Sequence, residues 1–254
     1  MTNRRANQES KKQVKADYGL DAPGVVRNLA IAGTLATLAG FVLNALLAVP
    51  APLIGQILLA IGLLNGVSEL GAAGLMLRSS KVGKLKMRDE LIDALKLKGD
   101  EQVLDAGCGR GLLLIGAARR LTSGKATGLD IWQGVDQSGN SPDATLGNAA
   151  TEGVSGKVEI RSGDMRLMPF EDQTFDVIVS SMAIHNIYDK AEREKALEEI
   201  VRVLKPGGQL AVIDFANTDE YAAYWKAHGI PDAQLSGARW TMFPPVRVVT
   251  GTKS

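Results

Sequence analysis

The stretch from Leu29 to Val49, LAIAGTLATLAGFVLNALLAV, contains no charged side chain. As a helix it is long enough to cross a hydrocarbon core of about 30 Å. Val49-Pro50-Ala51-Pro52 then stops it, because each proline removes a backbone donor and restricts the residue before it. A second apolar run follows from Leu53 to Leu77, interrupted only by Glu69. The pattern predicts two apolar helices joined by a proline turn. A cleaved leader does not fit: the first run is too long, starts too late and is followed by another. A pair of buried core helices is the main alternative, disfavoured because helices of an ordinary domain keep a polar face. A re-entrant or in-plane hairpin also fits the pattern.

Charge sets the expected topology. Arg27 precedes the hairpin, and Arg78, Lys81, Lys84, Lys86 and Arg88 follow it, while the turn between the runs is uncharged. The positive-inside rule then puts both ends in the cytoplasm and the turn across the membrane, a two-span membrane protein. Gly62 and Gly66, and Ala36 with Gly40, carry the small-residue spacing that lets helix backbones approach, within one chain or between copies in a homo-oligomer. Glu69 costs about 2.5–3.5 kcal/mol near mid-bilayer. Snorkelling, helix pairing and a functional role are all open to it. Up to Arg88 there are 11 Lys/Arg against 4 Asp/Glu, 11 − 4 = +7; beyond it 18 against 24, 18 − 24 = −6. A basic, apolar front suits an anionic membrane surface. An acidic back half is a poor match to nucleic acid. Two histidines and one cysteine exclude a dense zinc site and a disulfide framework.

Three regions are therefore expected: a polar segment 1–24, with Arg4, Arg5, Lys11, Lys12 and Lys15; a transmembrane hairpin 25–80; and an α/β domain 81–254. In the last, Asp89–Leu97 reads as an amphipathic helix. Gln102-Val103-Leu104-Asp105 reads as a strand that runs into Asp105-Ala106-Gly107-Cys108-Gly109-Arg110-Gly111, with a helix from Leu112 to Leu121. Alternating strands and helices argue for a parallel sheet with helices on both faces. A ligand then binds beyond the carboxyl end of the first strand, where glycines let the backbone come close. The dinucleotide spacing GxGxxG is not met, since position 112 is Leu. A carboxylate at Asp105 repels a pyrophosphate and attracts an ammonium or sulfonium ligand.

From about Arg88 onward the chain resembles class I, Rossmann-like S-adenosylmethionine-dependent methyltransferases of the small-molecule type that includes quinone C-methyltransferases. Five pieces carry the resemblance in order: DAGCGRG at 105–111; ATGLD at 126–130; IRSGDM at 160–165; LMPFEDQTFDVIVS at 167–180; and RVLKPGGQL at 202–210, read as the turn before a fifth strand. The resemblance implies a seven-stranded sheet with S-adenosyl-L-methionine as cofactor. It implies that Asp105 and the backbone at Gly107 and Gly109 hold the methionine end, and that Asp130 accepts both ribose hydroxyls. Asp164 would accept from the adenine amino group, with Met165 beside it and Ile131 and Trp132 flanking the ring. Cys108, a small residue in the loop, and Ser181, at the end of the fourth strand, complete the cofactor set. As alternatives, Asp130 is a turn residue and Trp132 a core residue.

Methyl transfer needs an aligned acceptor and, for oxygen or carbon acceptors, a base. His185, after the fourth strand, is the candidate: proton acceptor, positioning group or structural residue, with Asn186 able to orient it. Tyr18, in DYGLDAPG at 17–24, is a second candidate if the N-terminal segment caps the pocket, as is Asp21; a membrane-surface linker is the alternative. The long loop 133–145, with Asp136, Gln137, Ser138 and Asn140, lies near the cofactor end, as a cover or a solvated loop. Ser141-Pro142 reads as a helix N-cap. Glu220–His228 reads as a helix, and Arg239–Phe243 and Val246–Thr252 as a closing antiparallel pair. The Asn/Asp-Pro-Pro-Tyr/Phe signature of base N-methylation is absent. The hairpin points to a lipid or membrane-associated small-molecule acceptor. The rivals are a soluble acceptor with the hairpin as anchor, and a non-catalytic cofactor-binding scaffold.

Overall fold

The computed structural model describes residues 15–134 and 137–254. Arg4, Arg5, Lys11, Lys12 and Asp136 lie outside them. Two apolar helices come first, α1 (Pro23–Leu46) and α2 (Pro52–Arg78), each opened by a proline in its first turn. They are about 36 and 40 Å long at 1.5 Å per residue. They pack along each other through glycine: a Cβ on Gly62 would sit 2.6 Å from the Ala36 carbonyl oxygen, and a Cβ on Gly40 3.2 Å from the Gly62 Cα. Of the two uses open to the small-residue faces, the structure shows the one within the chain. Only 11% and 17% of the most apolar windows are buried. These are not core helices.

α2 does not end in a loop. It continues through a π-helical turn, Ser79–Gly83, into α3 (Lys84–Ala94), five residues earlier than the expected Asp89. The turn docks on the α/β domain. Ser79 Oγ accepts the Phe243 N–H at 2.9 Å, and a Cβ on Gly83 would lie 2.2 Å from the Thr241 carbonyl oxygen.

The domain alternates β1 (Gln102–Ala106), α4 (Leu112–Ala118), β2 (Lys125–Asp130), α5 (Pro142–Thr151), β3 (Val158–Ser162), β4 (Phe175–Ser181), α6 (Lys190–Val203), β5 (Leu204–Asp214), α7 (Thr218–Ala227), β6 (Gln234–Leu235) and β7 (Arg247–Thr252). The sheet order is β3-β2-β1-β4-β5-β7-β6, with β1 to β5 parallel and β7 antiparallel to both neighbours. Period-two alternation divides the strand side chains between two faces. Val103, Val177, Val179, Ala211 and Ile213 pack under α3, α4 and α5. Leu104, Ile178, Leu210 and Val212 pack against α6 and α7, where Tyr221 and Trp225 are fully buried. Ser141 caps α5 through its side chain, which accepts the Ala144 N–H, with Pro142 in the first turn.

Three boundaries are corrected. α4 is shorter than Leu112–Leu121. The Lys-Pro-Gly-Gly turn is absorbed into β5 as an irregularity, since Phe175 pairs with Leu204 but Val177 with Gln209. The segment Arg239–Phe243 is not a strand: only Arg239 bridges to Val246, because the Phe243 N–H is committed to Ser79. β7 pairs instead with β6.

Candidate active site

The strand order reverses between β1 and β4, and in sheets of this kind ligands bind at the carboxyl edge of such a switch point. The loops after β1 and β4 meet there. Gly107 has φ +76°, and a Cβ on it would lie 2.4 Å from that of Ala183 and 3.1 Å from Met165 Cε. The Gly107 and Cys108 N–H groups both donate to the Leu129 carbonyl, at 2.8 and 3.1 Å, tying the loop to β2. Cys108 is buried, and burial pushes its thiol well above the ordinary range, leaving a neutral space-filler.

Asp105 is buried at the end of β1. Its Oδ2 accepts the Leu114 N–H at 2.8 Å, while Oδ1 is buried without a partner. Burial, with Asp130 nearby, pushes its carboxyl up to about 7. Asp130 Oδ2 accepts the Gly109 N–H at 2.8 Å; its Oδ1 accepts from the Trp132 N–H at 2.6 Å and Asn140 Nδ2 at 3.2 Å. A carboxylate has about four acceptor positions, so the protein already fills most of them. Trp132 has φ +62°, and its Nε1 donates to Ser162 Oγ at 2.8 Å, laying the indole toward β3. Ile131 is 52% exposed beside it.

The structure does not gather every candidate. Asp164 is paired with Arg166, whose side-chain hydrogen bonds hold its carboxylate below the ordinary range. Its oxygens face that guanidinium on the rim, whereas its neighbour Met165 reaches the glycine loop. Ser181 ends β4 opposite Ile213 of β5. Tyr18 is corrected: it is 6% exposed in the core, its hydroxyl 3.5 Å from Arg88 Nη1, and burial pushes that hydroxyl up to about 12. It is not presented to an acceptor.

His185 sits in a 3-10 turn, Ile184–Asn186, beside Ala183. Its Nδ1 lies 2.7 Å from Asp214 Oδ1, an ion-pair distance whose angle falls short of a hydrogen bond. Asp214, at the end of β5, is the partner that Asn186 was expected to be. The sequence signal was an acidic residue closing an apolar strand, Leu210-Ala211-Val212-Ile213-Asp214.

Residues 17–21 form a strap across the glycine loop. Arg110 of that loop donates to the Asp17 carbonyl at 2.6 Å and carboxylate at 3.0 Å, and to the Ser138 and Gly139 carbonyls. Gln137 accepts the Arg110 N–H at 2.9 Å and donates to the Tyr18 carbonyl at 3.1 Å. Leu20 and Ser138 bond both ways. Lys84, 2% exposed, closes the strap from below. Its Nζ donates to the Tyr18 and Gly19 carbonyls at 2.8 Å and to Asp21 Oδ1 at 2.9 Å. Lys84 and Arg88, counted above among the membrane-flanking cations, are buried inside the protein; Arg27, Arg78, Lys81 and Lys86 are exposed.

Residues 104–212 match the family described as Methyltransferase domain. With the sheet order and the loop at its switch point, this match makes the segment a class I S-adenosylmethionine-dependent methyltransferase domain. Its relatives include methyltransferases of quinones and of sterols. The ubiquinone/menaquinone biosynthesis C-methyltransferase UbiE of Cronobacter sakazakii is 35% identical over 126 residues, 49% of this chain and 47% of that protein. The sterol 4-C-methyltransferase of Caenorhabditis elegans is 34% identical over 138 residues, 54% of this chain and 38% of that protein. The match thus spans about half or less of either relative. A SAM-dependent methyltransferase from Aquifex aeolicus shares the fold, with a TM-score of 0.53, 20% identity, and coverage of 67% of this chain and 92% of that one.

The cofactor of this class is S-adenosyl-L-methionine, and the residues present fit it. A cationic group suits the orphaned Asp105 Oδ1, while the positive φ of Gly107 lets Ala183 and Met165 pack directly on the glycine loop.

Proposed function

We propose that the chain is a membrane-embedded S-adenosylmethionine-dependent methyltransferase whose acceptor is a small lipophilic molecule drawn from the bilayer. The observation that carries this reading is the junction between hairpin and domain. The π turn docks on the 239–243 loop, which precedes β7 and so lies at the carboxyl edge beside the end of β5. The carboxyl edge, where the loops after β1 and β4 meet, is therefore the side on which the apolar hairpin joins the domain. The same edge exposes Leu167 (80%), Tyr188 (88%), Phe215 (43%) and Trp240 (72%), apolar surface suited to a lipid interface. In this reading residues 25–80 hold the hairpin in the membrane, both ends are cytoplasmic, and residues 81–254 with the strap form the enzyme. The names of the quinone and sterol relatives agree with a lipophilic acceptor.

When bound, the donor supplies an electrophilic methyl on a sulfonium. The chain's part is placement. Asp105 faces the cationic methionine end, and the Gly107–Gly109 backbone lines it. Asp130 takes the ribose hydroxyls in exchange for the Asn140 amide, and Met165, Ile131 and Trp132 border the adenine. His185 stands at the acceptor side.

Isotope-labelled donor, the full chain in nanodiscs and total membrane lipid extract test the reading. A labelled lipid is expected from the wild type and none from Asp130→Ala. Label appearing only in water-soluble acceptors would reduce the hairpin to an anchor; donor binding without any transfer would leave a scaffold. Deleting residues 1–80 is no substitute, since it removes the strap and its Ser80 contact.

Asp105 gives a pH signature. The free protein holds this carboxyl protonated below about 7, and a cationic donor favours the carboxylate. Donor affinity should rise about tenfold per pH unit up to that value, then level off, with proton release on binding. Stability runs the other way. Between the ordinary 3.8 and about 7 the folded protein binds the proton that the unfolded chain has lost, so the free protein weakens as pH rises through this window. Calorimetry at about pH 6 in buffers of different ionisation heat counts the protons; zero release would remove Asp105 from the donor site.

A further inference from the structure

We propose that the junction between hairpin and domain is a binding surface for anionic phospholipid headgroups, built from Arg27 of α1, Arg78 and Lys81 at the π turn, and Arg239 and Trp240 of the docked loop. The inference rests on the membrane-embedded reading above and adds the class of lipid that the junction selects.

Three separate stretches of chain meet there. The loop 239–246 is closed by the Arg239–Val246 bridge and presses on the π turn. Its Phe243 N–H donates to Ser79 Oγ at 2.9 Å across 164 positions of sequence, and Thr241 and Met242 pack on Gly83. The start of α1 is tied to the same turn, because the Asp21 N–H donates to Ser80 Oγ at 3.1 Å. Hairpin register then places Arg27. Gly33 faces Glu69 and Leu70, and Gly40 faces Leu59 and Gly62. Arg27 therefore falls level with Leu75, about one turn from Arg78. Charges that flank a span in sequence are a general feature of membrane proteins; Arg239 and Trp240 join them only through the fold.

The cations have no counter-charge of their own. All four are exposed, and none forms an ion pair among the described residues. Carboxylates on the surrounding elements are already engaged: Asp21 by Lys84, Asp89 by Arg88, Glu90 by Lys86 and Asp219 by Arg247. Between Ala22 and Arg88 the one acidic residue is Glu69, inside the hairpin, and from Ala233 to the end there is none. An anionic phospholipid supplies what is missing. Its phosphate accepts paired N–H bonds from a guanidinium, and three of the four cations are arginines. A zwitterionic headgroup offsets its phosphate with its own cation and gains less. Trp240, 72% exposed beside Arg239, and Val82, 55% exposed beside Lys81, give the surface an apolar part suited to the headgroup boundary. Free phosphate has no acyl chains to sit beside them, so the surface is assigned to lipid.

The test uses the full chain in nanodiscs of phosphatidylcholine with increasing amounts of brominated phosphatidylglycerol or brominated phosphatidylcholine, read by tryptophan quenching. Subtracting the signal of Trp240→Phe isolates Trp240 from Trp132 and Trp225. Each cation at an anionic surface contributes about a fivefold preference. Half-maximal quenching of the wild type should therefore need at least about fivefold less of the anionic lipid. Arg78→Gln, Lys81→Gln and Arg239→Gln together should erase most of that difference. Salt raised to about 1 M shortens the screening length to about 3 Å and should do the same with no substitution. Inorganic phosphate at constant ionic strength should leave the preference unchanged. Equal quenching by the two lipids, a preference that survives both the triple substitution and salt, or competition by phosphate overturns the inference alone. Release of the wild-type chain from vesicles by an alkaline wash overturns the membrane-embedded reading, and the inference with it.

Discussion

Replacing Gly107 by valine should weaken donor binding at least about 100-fold. Two costs add. A β-branched residue at φ +76° is outside its normal range, a penalty of about 1–2 kcal/mol. The new Cβ would also lie 2.4 Å from that of Ala183, so the loops after β1 and β4 must separate, at about 1–3 kcal/mol for overpacking. That separation would displace the loop assigned to the donor in the proposed function. Calorimetric titration of the purified variant measures it. Affinity within threefold of wild type would show that the donor does not use this loop.

The second large effect is at Lys84. Lys84→Met keeps the length and apolar stem but removes an ammonium that satisfies two carbonyls and the Asp21 carboxylate. Breaking a buried pair by removing one partner costs about 3–5 kcal/mol. For a chain of this size each kcal/mol moves the unfolding midpoint by about 2–4 °C. A drop of roughly 10 °C in thermal unfolding is expected. The strap should also loosen, seen as faster amide exchange at Gly19 and Leu20. A midpoint within about 2 °C of wild type would mean that Arg110, Gln137, Ser138 and Ser80 hold the strap without Lys84.

The lysine shows where sequence reading ran out. Lys84 and Arg88 follow an apolar run and look like membrane-flanking cations, because the partners of Lys84 lie more than 60 residues away in the chain and the pairing of Arg88 with the adjacent Asp89 does not reveal burial. Tyr18 and Asp214 failed to reveal their places for the same reason: burial and pairing across the fold leave no periodic trace. What was legible was local. The glycine loop could be located because positive φ and close approach admit few residues. The cap at Ser141-Pro142 could be read because helix starts have a composition. Strands β4 and β5 showed as short unbroken apolar runs, Val177-Ile178-Val179 and Leu210-Ala211-Val212-Ile213, as parallel strands buried on both faces do. Arg239–Phe243 looked like a strand from its residues, but its Phe243 N–H is held by the π turn. The candidate cofactor carboxylates were found in sequence as a set of three, whereas the structure engages Asp164 with Arg166.

The helical path from Pro52 through the π turn to Ala94 has no break. Its far end lies against α4, where the Arg88 stem occupies the space that a side chain at Gly116 would need. A rod of this kind fixes azimuth as well as distance. One residue inserted between Leu75 and Lys81 would swing the hairpin by about 100° relative to the sheet, and the exposed apolar rim at the carboxyl edge would no longer face the same way as α1 and α2. Length variation there is tolerable only in whole turns, while the Pro50–Pro52 end, which touches nothing in the α/β domain, is free to vary.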